Sequence, residues 1–254
     1  MKRIRYETYS GIYWGDLEGG NVHRLASIMG RRTGEVQPLS DVRLLAPCEP
    51  RTIVCVGKNY ADHVVEMGGD ASNLPTEPGL FLKAPNTVSN PGEGVPYPAW
   101  TENLQFEGEM AVVIAKTMRR VTPEDALGHV LGYTCAIDIT ARDKQRQDLQ
   151  WTRGKSADRF MPIGPWIETD LEPSETRVTT AINGDTRQDA PTSQMIFDVP
   201  HVLSYISQFM TLEPGDVVLT GTPEGVGPLA VGDEIRVEVD GIGTLTAFVE
   251  DAPA

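Results

Sequence analysis

Alternation of apolar and polar side chains recurs in short segments of the chain and predicts strands more often than helices. The clearest case is FEGEMAVVI, residues 106–114, where even and odd positions form opposite faces because successive side chains of a strand point to opposite sides. A buried strand is predicted at IVCVG, residues 53–57, and a short strand at LFLKAP, residues 80–85. LGYTCAIDIT, residues 131–140, is predicted to form another continuous strand.

Helical spacing is confined to a few short stretches. NYADHVVEMGG predicts a helix that Asn59 caps and the Gly68-Gly69 pair ends. FDVPHVLSYISQFM, residues 197–210, predicts a second. Residues 91–98 hold three prolines and two glycines and are predicted to be irregular. Regular alternation of strands with helices is missing, so the pattern favours an α+β, mostly β, fold over a doubly wound sheet.

The length and the charge limit what the protein can be. With 254 residues, 40% of them hydrophobic, the chain can bury a sizeable core. PCEPRT, residues 47–52, marks a plausible boundary between a small N-terminal domain (1–47) and a larger domain (48–254). The net charge of -14 argues against nucleic acid and against an anionic membrane as partner. Three cysteines without a CxxC pair, and no apolar run typical of a signal peptide or membrane span, favour a soluble cytoplasmic protein.

Three carboxylates occupy strand faces on which small apolar side chains are expected. Glu107 and Glu109 share the face that Ala111 and Val113 complete, and Asp138 follows Thr134 and Ala136 on its own strand. Buried together, such groups would repel each other and lose hydration, which a divalent cation would compensate. Carboxylate oxygens suit Mg²⁺, Mn²⁺ or Ca²⁺ better than Zn²⁺. From the strand alone, an edge strand with Glu107 and Glu109 facing solvent is the commoner arrangement.

Six motifs resemble those of the fumarylacetoacetate hydrolase family and occur in the same order. They are VGKNYADHVVEMG, LFLKAPNTV, FEGEMAVVI, GYTCAIDITARDKQ, WTRGKSADRFMPIGPW and LEPGDVVLTGTPEGVG. Over residues 48–250 the chain most resembles the bacterial 2-hydroxyhepta-2,4-diene-1,7-dioate isomerase branch. The resemblance implies a mixed β-roll or sandwich around a metal site, a small β-rich N-terminal domain and a homodimer.

The resemblance also implies a role for individual residues. Glu107, Glu109 and Asp138 match the family's metal ligands, so they are expected to bind Mg²⁺ or Mn²⁺, with Ca²⁺ able to substitute. His63, oriented by Glu66, is expected to be the catalytic base. The remaining matches are a further catalytic residue, Lys155, and the substrate-binding residues Lys83, Arg142, Gln145 and Thr222.

Two departures from the family pattern concern the expected rim of the site. Leu104, Gln105 and Phe106 stand before the first glutamate where the family often has an apolar-Asp-Tyr sequence, and Lys144 replaces a common apolar residue. Neither departure removes a predicted ligand. Both leave the identity of the substrate open.

The resemblance predicts a metal-dependent enzyme that acts on a small anionic 2-oxo acid or a 2-hydroxydienoic diacid. Isomerisation, tautomerisation or decarboxylation in aromatic-compound catabolism is the first expectation. The alternative reaction is C–C bond hydrolysis of an acylpyruvate or fumarylacetoacetate type. A non-catalytic protein that binds a metal or a 2-oxo acid is an alternative of another class, against which the His63–Glu66 pair weighs, because a binding protein needs no base.

Overall fold

The computed structural model describes residues 1–252, and strands dominate it. The strands are β1 Lys2–Thr8, β2 Gly11–Glu18, β3 Asn21–Leu25, β4 Arg32–Pro38, β5 Arg43–Leu45, β6 Ile53–Gly57, β7 Gly79–Lys83, β8 Val88–Ser89, β9 Gly94–Tyr97, β10 Leu104–Phe106, β11 Gly108–Ile114, β12 Val130–Ile137, β13 Thr140–Ala141, β14 Met161–Glu168, β15 Arg177–Ile182, β16 Asp185–Pro191, β17 Val217–Leu219, β18 Gly227–Pro228, β19 Glu234–Val239 and β20 Gly243–Asp251. The predicted α+β, mostly β, fold class is confirmed.

The α-helices are few and short. They are α1 Ala61–Glu66, α2 Pro123–Ala126, α3 Arg142–Gln147, α4 Thr152–Lys155 and α5 Val199–Ser207. The helix predicted between residues 197 and 210 is α5; the Asp198 side chain caps it by accepting from the backbone N–H of His201 at 2.9 Å. In the described part of the chain, no helix has the length and apolar character that crossing a membrane requires.

A twelve-stranded sheet forms the centre of the molecule. Its main path is β4-β3-β2-β1-β14-β12-β11-β17-β6-β7, with β5 paired to β1 and β8 to β14. The pairings along this path are antiparallel except that β17 and β6 run parallel. Because β1 pairs with β14 through Lys2 and Arg3, the sheet continues from the predicted N-terminal domain into the predicted larger one.

A second sheet, of five strands in the order β16-β15-β19-β20-β9, covers one face of the large sheet. The main hydrophobic core lies between them and includes Val112 of β11, Val237 of β19 and Leu203 of α5. The opposite face of β11 carries Ala111 and Val113, which pack in a separate buried cluster. β11 is therefore covered on both sides, and all seven of its residues are buried. A short third sheet, β13-β10-β18, lies beside the start of β11.

Two local predictions are wrong in detail. Asn59 does not cap α1; Tyr60 is the N-cap residue, and the buried Asn59 amide instead bonds backbone groups of Phe197 and Thr220. Residues 91–98 are not wholly irregular, because β9 pairs there with the end of β20 in a parallel ladder. β9 is an edge strand, where the missing N–H of Pro96 is tolerated.

The two strands that carry the carboxylates are each interrupted. The segment 106–114 breaks at Glu107, between β10 and β11, and the segment 131–140 breaks after Ile137, between β12 and β13. At each break the chain leaves the large sheet, and β10 pairs with β13 in the small one. The acidic side chains therefore lie where two sheets separate, which leaves room for a ligand beside them.

Candidate active site

The strand register brings the three carboxylates together. Gly108 pairs with Ile137, so the preceding Glu107 lies beside Asp138, whose backbone N–H donates to the Glu107 carbonyl at 2.8 Å. Glu109 pairs with Ala136 on the same ladder. One carboxylate oxygen from each acid lies within 4.8 Å of the others. Their exposed fractions are 5% for Glu107, 1% for Glu109 and 0% for Asp138, so the solvent-facing arrangement is excluded.

The glycine between the two glutamates is required by the neighbouring sheet. A Cβ atom on Gly108 would lie 1.9 Å from the Thr180 hydroxyl oxygen of β15 and 3.1 Å from the Gln188 side-chain oxygen of β16. The five-stranded sheet thus approaches the backbone of β11 at this point more closely than any side chain permits. This contact fixes the strand from which both glutamates project.

Three cationic side chains hold two of the carboxylates. Lys155 donates to Glu107 at 2.8 Å and to Asp138 at 2.7 Å. Arg142 donates to the other Glu107 oxygen at 2.5 Å, and Lys83 donates to the other Asp138 oxygen at 2.6 Å. Burial would raise the pKa of Glu107, but the Lys155 and Arg142 charges outweigh it, so this pKa lies below its ordinary value.

Glu109 is held differently from the other two acids. Its one hydrogen bond within residues 1–252 comes from the Gly221 backbone N–H at 2.6 Å. Burial, and then the charges of Asp138 and Glu107, raise the pKa of Glu109 well above its ordinary value. A divalent cation would remove this imbalance, and three carboxylate donors without nitrogen or sulfur suit Mg²⁺ or Mn²⁺. The acidic cluster can therefore bind a metal ion.

His63 and Glu66 lie on one face of α1 and form a bonded pair. The Nδ1 atom of His63 lies 3.0 Å from a Glu66 carboxylate oxygen, and the other oxygen accepts from the Gly225 backbone N–H at 2.9 Å. A carboxylate at Nδ1 favours the tautomer that carries the proton there, so Nε2 is left as an acceptor. Within the described residues Nε2 has no hydrogen-bond partner.

A cavity of about 210 Å³ joins these groups. Val56, Met67, Phe81 and Trp151 contribute its apolar walls. Of the predicted site residues, it is lined by His63, Glu107, Glu109, Arg142, Gln145, Lys155 and Thr222. The other three, Glu66, Lys83 and Asp138, lie directly behind the lining. Glu66 forms a hydrogen bond with His63, and Lys83 forms one with Asp138. The structure thus brings all the predicted site residues into one cluster, and their individual roles stay predictions.

Gln188 belongs to this site, although no motif in its local sequence indicates such a role. Its side-chain oxygen accepts from the Gly108 N–H at 2.9 Å, and its amide donates to Thr222 and to the Pro223 carbonyl, both at 2.7 Å. The Thr222 hydroxyl in turn donates to the Gly108 carbonyl at 2.9 Å. Gln188 therefore ties the glutamate strand to the loop after β17. It comes from a distant strand whose sequence, DTRQDAP, looks like an ordinary exposed edge.

Two family models match the chain. The model described as "Fumarylacetoacetate (FAA) hydrolase C-terminal" matches residues 52–250, and the model "Rv2993c-like, N-terminal" matches residues 1–47. Among curated relatives, oxaloacetate tautomerase YisK of Bacillus subtilis is 44% identical over 221 residues, which cover 82% of this chain and 73% of that protein.

Solved structures extend the similarity to the whole fold. The 2-hydroxyhepta-2,4-diene-1,7-dioate isomerase of Mycobacterium marinum superposes with a TM-score of 0.92 at 40% identity, and the match covers 100% of both chains. The maleylpyruvate hydrolase of Sphingobium sp. SYK-6, in complex with manganese(II) and pyruvate, has a TM-score of 0.82 at 29% identity, again over 100% of both chains.

Proposed function

Because the chain belongs to the fumarylacetoacetate hydrolase family, we propose that it is a divalent-metal-dependent enzyme that moves a proton within a small 2-oxo acid. The reaction is keto–enol tautomerisation or the related double-bond isomerisation. Its similarity to an oxaloacetate tautomerase and to a dienedioate isomerase supports this reaction class. The small cavity suits an acid of a few carbon atoms.

Glu107, Glu109 and Asp138 would hold the metal ion, for which Mg²⁺ or Mn²⁺ is proposed and Ca²⁺ could substitute. When bound, the ion supplies Lewis-acid stabilisation of negative charge on the substrate oxygen at C2. Arg142 and Lys155 line the same cavity and place positive charge beside the substrate carboxylate. A protein of net charge -14 can thereby hold an anion locally.

His63 would transfer the proton. Its ring lines the cavity beside the carboxylates, and Glu66 keeps Nδ1 occupied, so Nε2 can take a proton from one substrate atom and return it to another. This buried, oriented base beside the acidic cluster is the observation that carries the proposal. A protein that only bound a metal or a 2-oxo acid would have no use for it.

C–C bond hydrolysis is a second candidate, favoured by the similarity to a maleylpyruvate hydrolase. His63 would then deprotonate a water molecule that attacks a distal carbonyl group. Decarboxylation of oxaloacetate is a related reaction that needs no general base. The same cavity can serve these reactions because they share an anionic intermediate, so the reaction must be identified by assay.

The test is an assay of the purified protein with Mg²⁺ or Mn²⁺ on enol-oxaloacetate, keto-oxaloacetate and acetopyruvate. Loss of enol absorbance without release of CO₂ or pyruvate is expected. Pyruvate formed from acetopyruvate would favour the hydrolase instead, and CO₂ release from oxaloacetate would favour the decarboxylase. No reaction with any of these compounds, in a protein that binds the metal, would contradict the proposed function.

A further inference from the structure

Two cationic side chains at the mouth of the cavity are not used by the chemistry described above. Lys58 and Arg146 line the same cavity as the acidic cluster, yet both residues are exposed to solvent. Among residues 1–252, neither side chain forms a hydrogen bond or an ion pair, whereas Arg142, Lys155 and Lys83 are each bonded to the buried carboxylates. The buried carboxylates with Arg142, Lys155 and Lys83 are called the floor of the cavity here. Lys58 and Arg146 are called its rim.

The backbone holds Lys58 at this rim in a conformation that side-chain-bearing residues seldom adopt. Its φ angle is 60°, in the left-handed region. The neighbouring Asn59 keeps the turn in place, since its buried amide makes hydrogen bonds to Thr220 and Phe197 of 2.8 to 3.0 Å. Strained backbone that the surrounding structure enforces is typical of functional positions. In this conformation, the turn that follows β6 runs past the cavity, and Lys58 becomes part of the cavity lining.

Arg146 reaches the cavity because of its position on α3. Arg142, Gln145 and Arg146 are separated by three and four residues, so they share the helix face that contributes to the cavity lining. Arg142 donates to Glu107, and Gln145 accepts from Arg142 at 2.7 Å. Arg146 is the cationic side chain of this face that has no partner in the described part of the chain.

Apolar side chains also line the cavity. Phe81 and Trp151 pack edge to face with ring centroids 5.3 Å apart. A ligand that matches these three kinds of lining has one anionic end for the buried site, a short apolar or unsaturated middle, and a second anionic end for Lys58 and Arg146. A monoacid would leave both rim cations without a partner.

We propose that Lys58 and Arg146 recognise a distal carboxylate, and that they make the enzyme selective for 2-oxo diacids over 2-oxo monoacids of the same length. This inference rests on the proposed function for the reaction, and it adds the residues that choose the substrate class.

The test compares oxaloacetate with its 4-ethyl ester, which keeps the chain and removes the distal charge. We expect the wild type to have the higher kcat/KM for the diacid, and the K58Q/R146Q double variant to lower the diacid-to-ester ratio about tenfold, the scale of a charge-assisted contact near solvent. K58R/R146K should keep the preference. The control is R51Q, at the opposite end of β6, where an exposed arginine has no side-chain partner in the described residues. A double variant with the wild-type ratio would overturn the inference.

Calorimetric binding of the same two compounds to the Mn²⁺-loaded protein separates this inference from the proposed reaction. If neither compound reacts but the wild type binds the diacid about tenfold more tightly, with the difference lost in K58Q/R146Q, the reaction proposal fails and the rim assignment stands. Equal affinity of the wild type for diacid and ester would overturn the rim assignment whatever the activity.

Discussion

At the scale of single residues, Glu109 has the least compensated charge in the molecule's acidic cluster. Glu109 is 1% exposed, and its carboxylate accepts one hydrogen bond, from a backbone N–H. The two neighbouring acids instead form ion pairs with lysine or arginine. Such a group costs folding free energy as long as it is ionised without a metal. The same feature makes it the ligand with most to gain from a divalent cation.

Without metal, Glu109 should make stability fall as pH rises. Its pKa in the folded protein lies well above the ordinary 4.5, so the folded chain keeps a proton that the unfolded chain has lost. The stabilisation is full below about pH 4.5 and disappears as pH rises through the raised pKa. In chelator, Glu109→Gln should flatten this dependence and raise Tm near neutral pH. Thermal unfolding across pH checks it; identical profiles for both proteins would contradict it.

His63 should matter for turnover and not for metal binding. It lies in the cavity wall, paired with Glu66, and within residues 1–252 it forms no hydrogen bond to the three predicted metal ligands. His63→Asn should lower kcat by roughly 10²-fold, the scale of general acid–base catalysis, with the calorimetric Kd for Mn²⁺ unchanged. His201→Asn is the matched control, since His201 is exposed on α5 and stacks on Phe197. A His63→Asn enzyme with the wild-type kcat would exclude this role.

At the scale of elements, the junction of β10 and β11 positions the glutamates. Gly108 lies against Thr180 of the second sheet, and Gln188 bonds its N–H. Gly108→Ala should destabilise the protein by about 1–3 kcal/mol, as overpacking of a core does, and weaken Mn²⁺ binding because the strand must shift. Gly128→Ala is the control, because a Cβ there meets nothing within 4 Å. Denaturant unfolding and calorimetry measure both effects; equal stability of the two variants would be contrary to this account.

The pattern of the sequence predicted what depends on local periodicity. Side chains two apart on a strand share a face, so the common face of Glu107 and Glu109 followed from the spacing alone. The spacing predicted α5 but not the capping role of Asp198 at its start, and it wrongly assigned the cap of α1 to Asn59. Asn59 resembles a cap in sequence, but a tertiary contact to Thr220 satisfies its amide.

Contacts between distant segments could not be predicted in this way. Gln188 reaches Gly108 across 80 residues, and nothing in either local sequence indicates that they meet. The left-handed turn at Lys58 was missed for the same reason, since lysine does not favour it and the surrounding hydrogen bonds enforce it. The breaks after Phe106 and Ile137 depend on where the small sheet separates from the large one, which only the fold determines.

At the scale of the whole molecule, the edge of the large sheet beside the cavity is open in the described chain. β7 ends the sheet and pairs only with β6, and Leu82 on it lies in the same surface groove as Leu149, which is 96% exposed. Apolar side chains beside an unpaired edge favour association, so the homodimer expected from the family is proposed to form here.

Sedimentation equilibrium at micromolar concentration should therefore give twice the 27.7 kDa chain mass. Leu149→Asp should shift the protein towards monomer by placing a charge in the contact. Tyr9→Asp, at an exposed turn of the N-terminal strands, should not. A wild type that sediments as a monomer would contradict the dimer, and a dimeric Leu149→Asp variant would place the interface elsewhere.

If the acidic cluster holds a catalytic metal ion, turnover must depend on that ion. The protein is treated with chelator, Mn²⁺ is added back stepwise, and the rate of enol-oxaloacetate loss is followed together with calorimetric binding. We expect no enzymatic rate in chelator and a recovery that follows occupancy of one site. Glu109→Gln should show no recovery, because a cluster of three buried carboxylates is the proposed metal site. Full activity in the presence of chelator would contradict it.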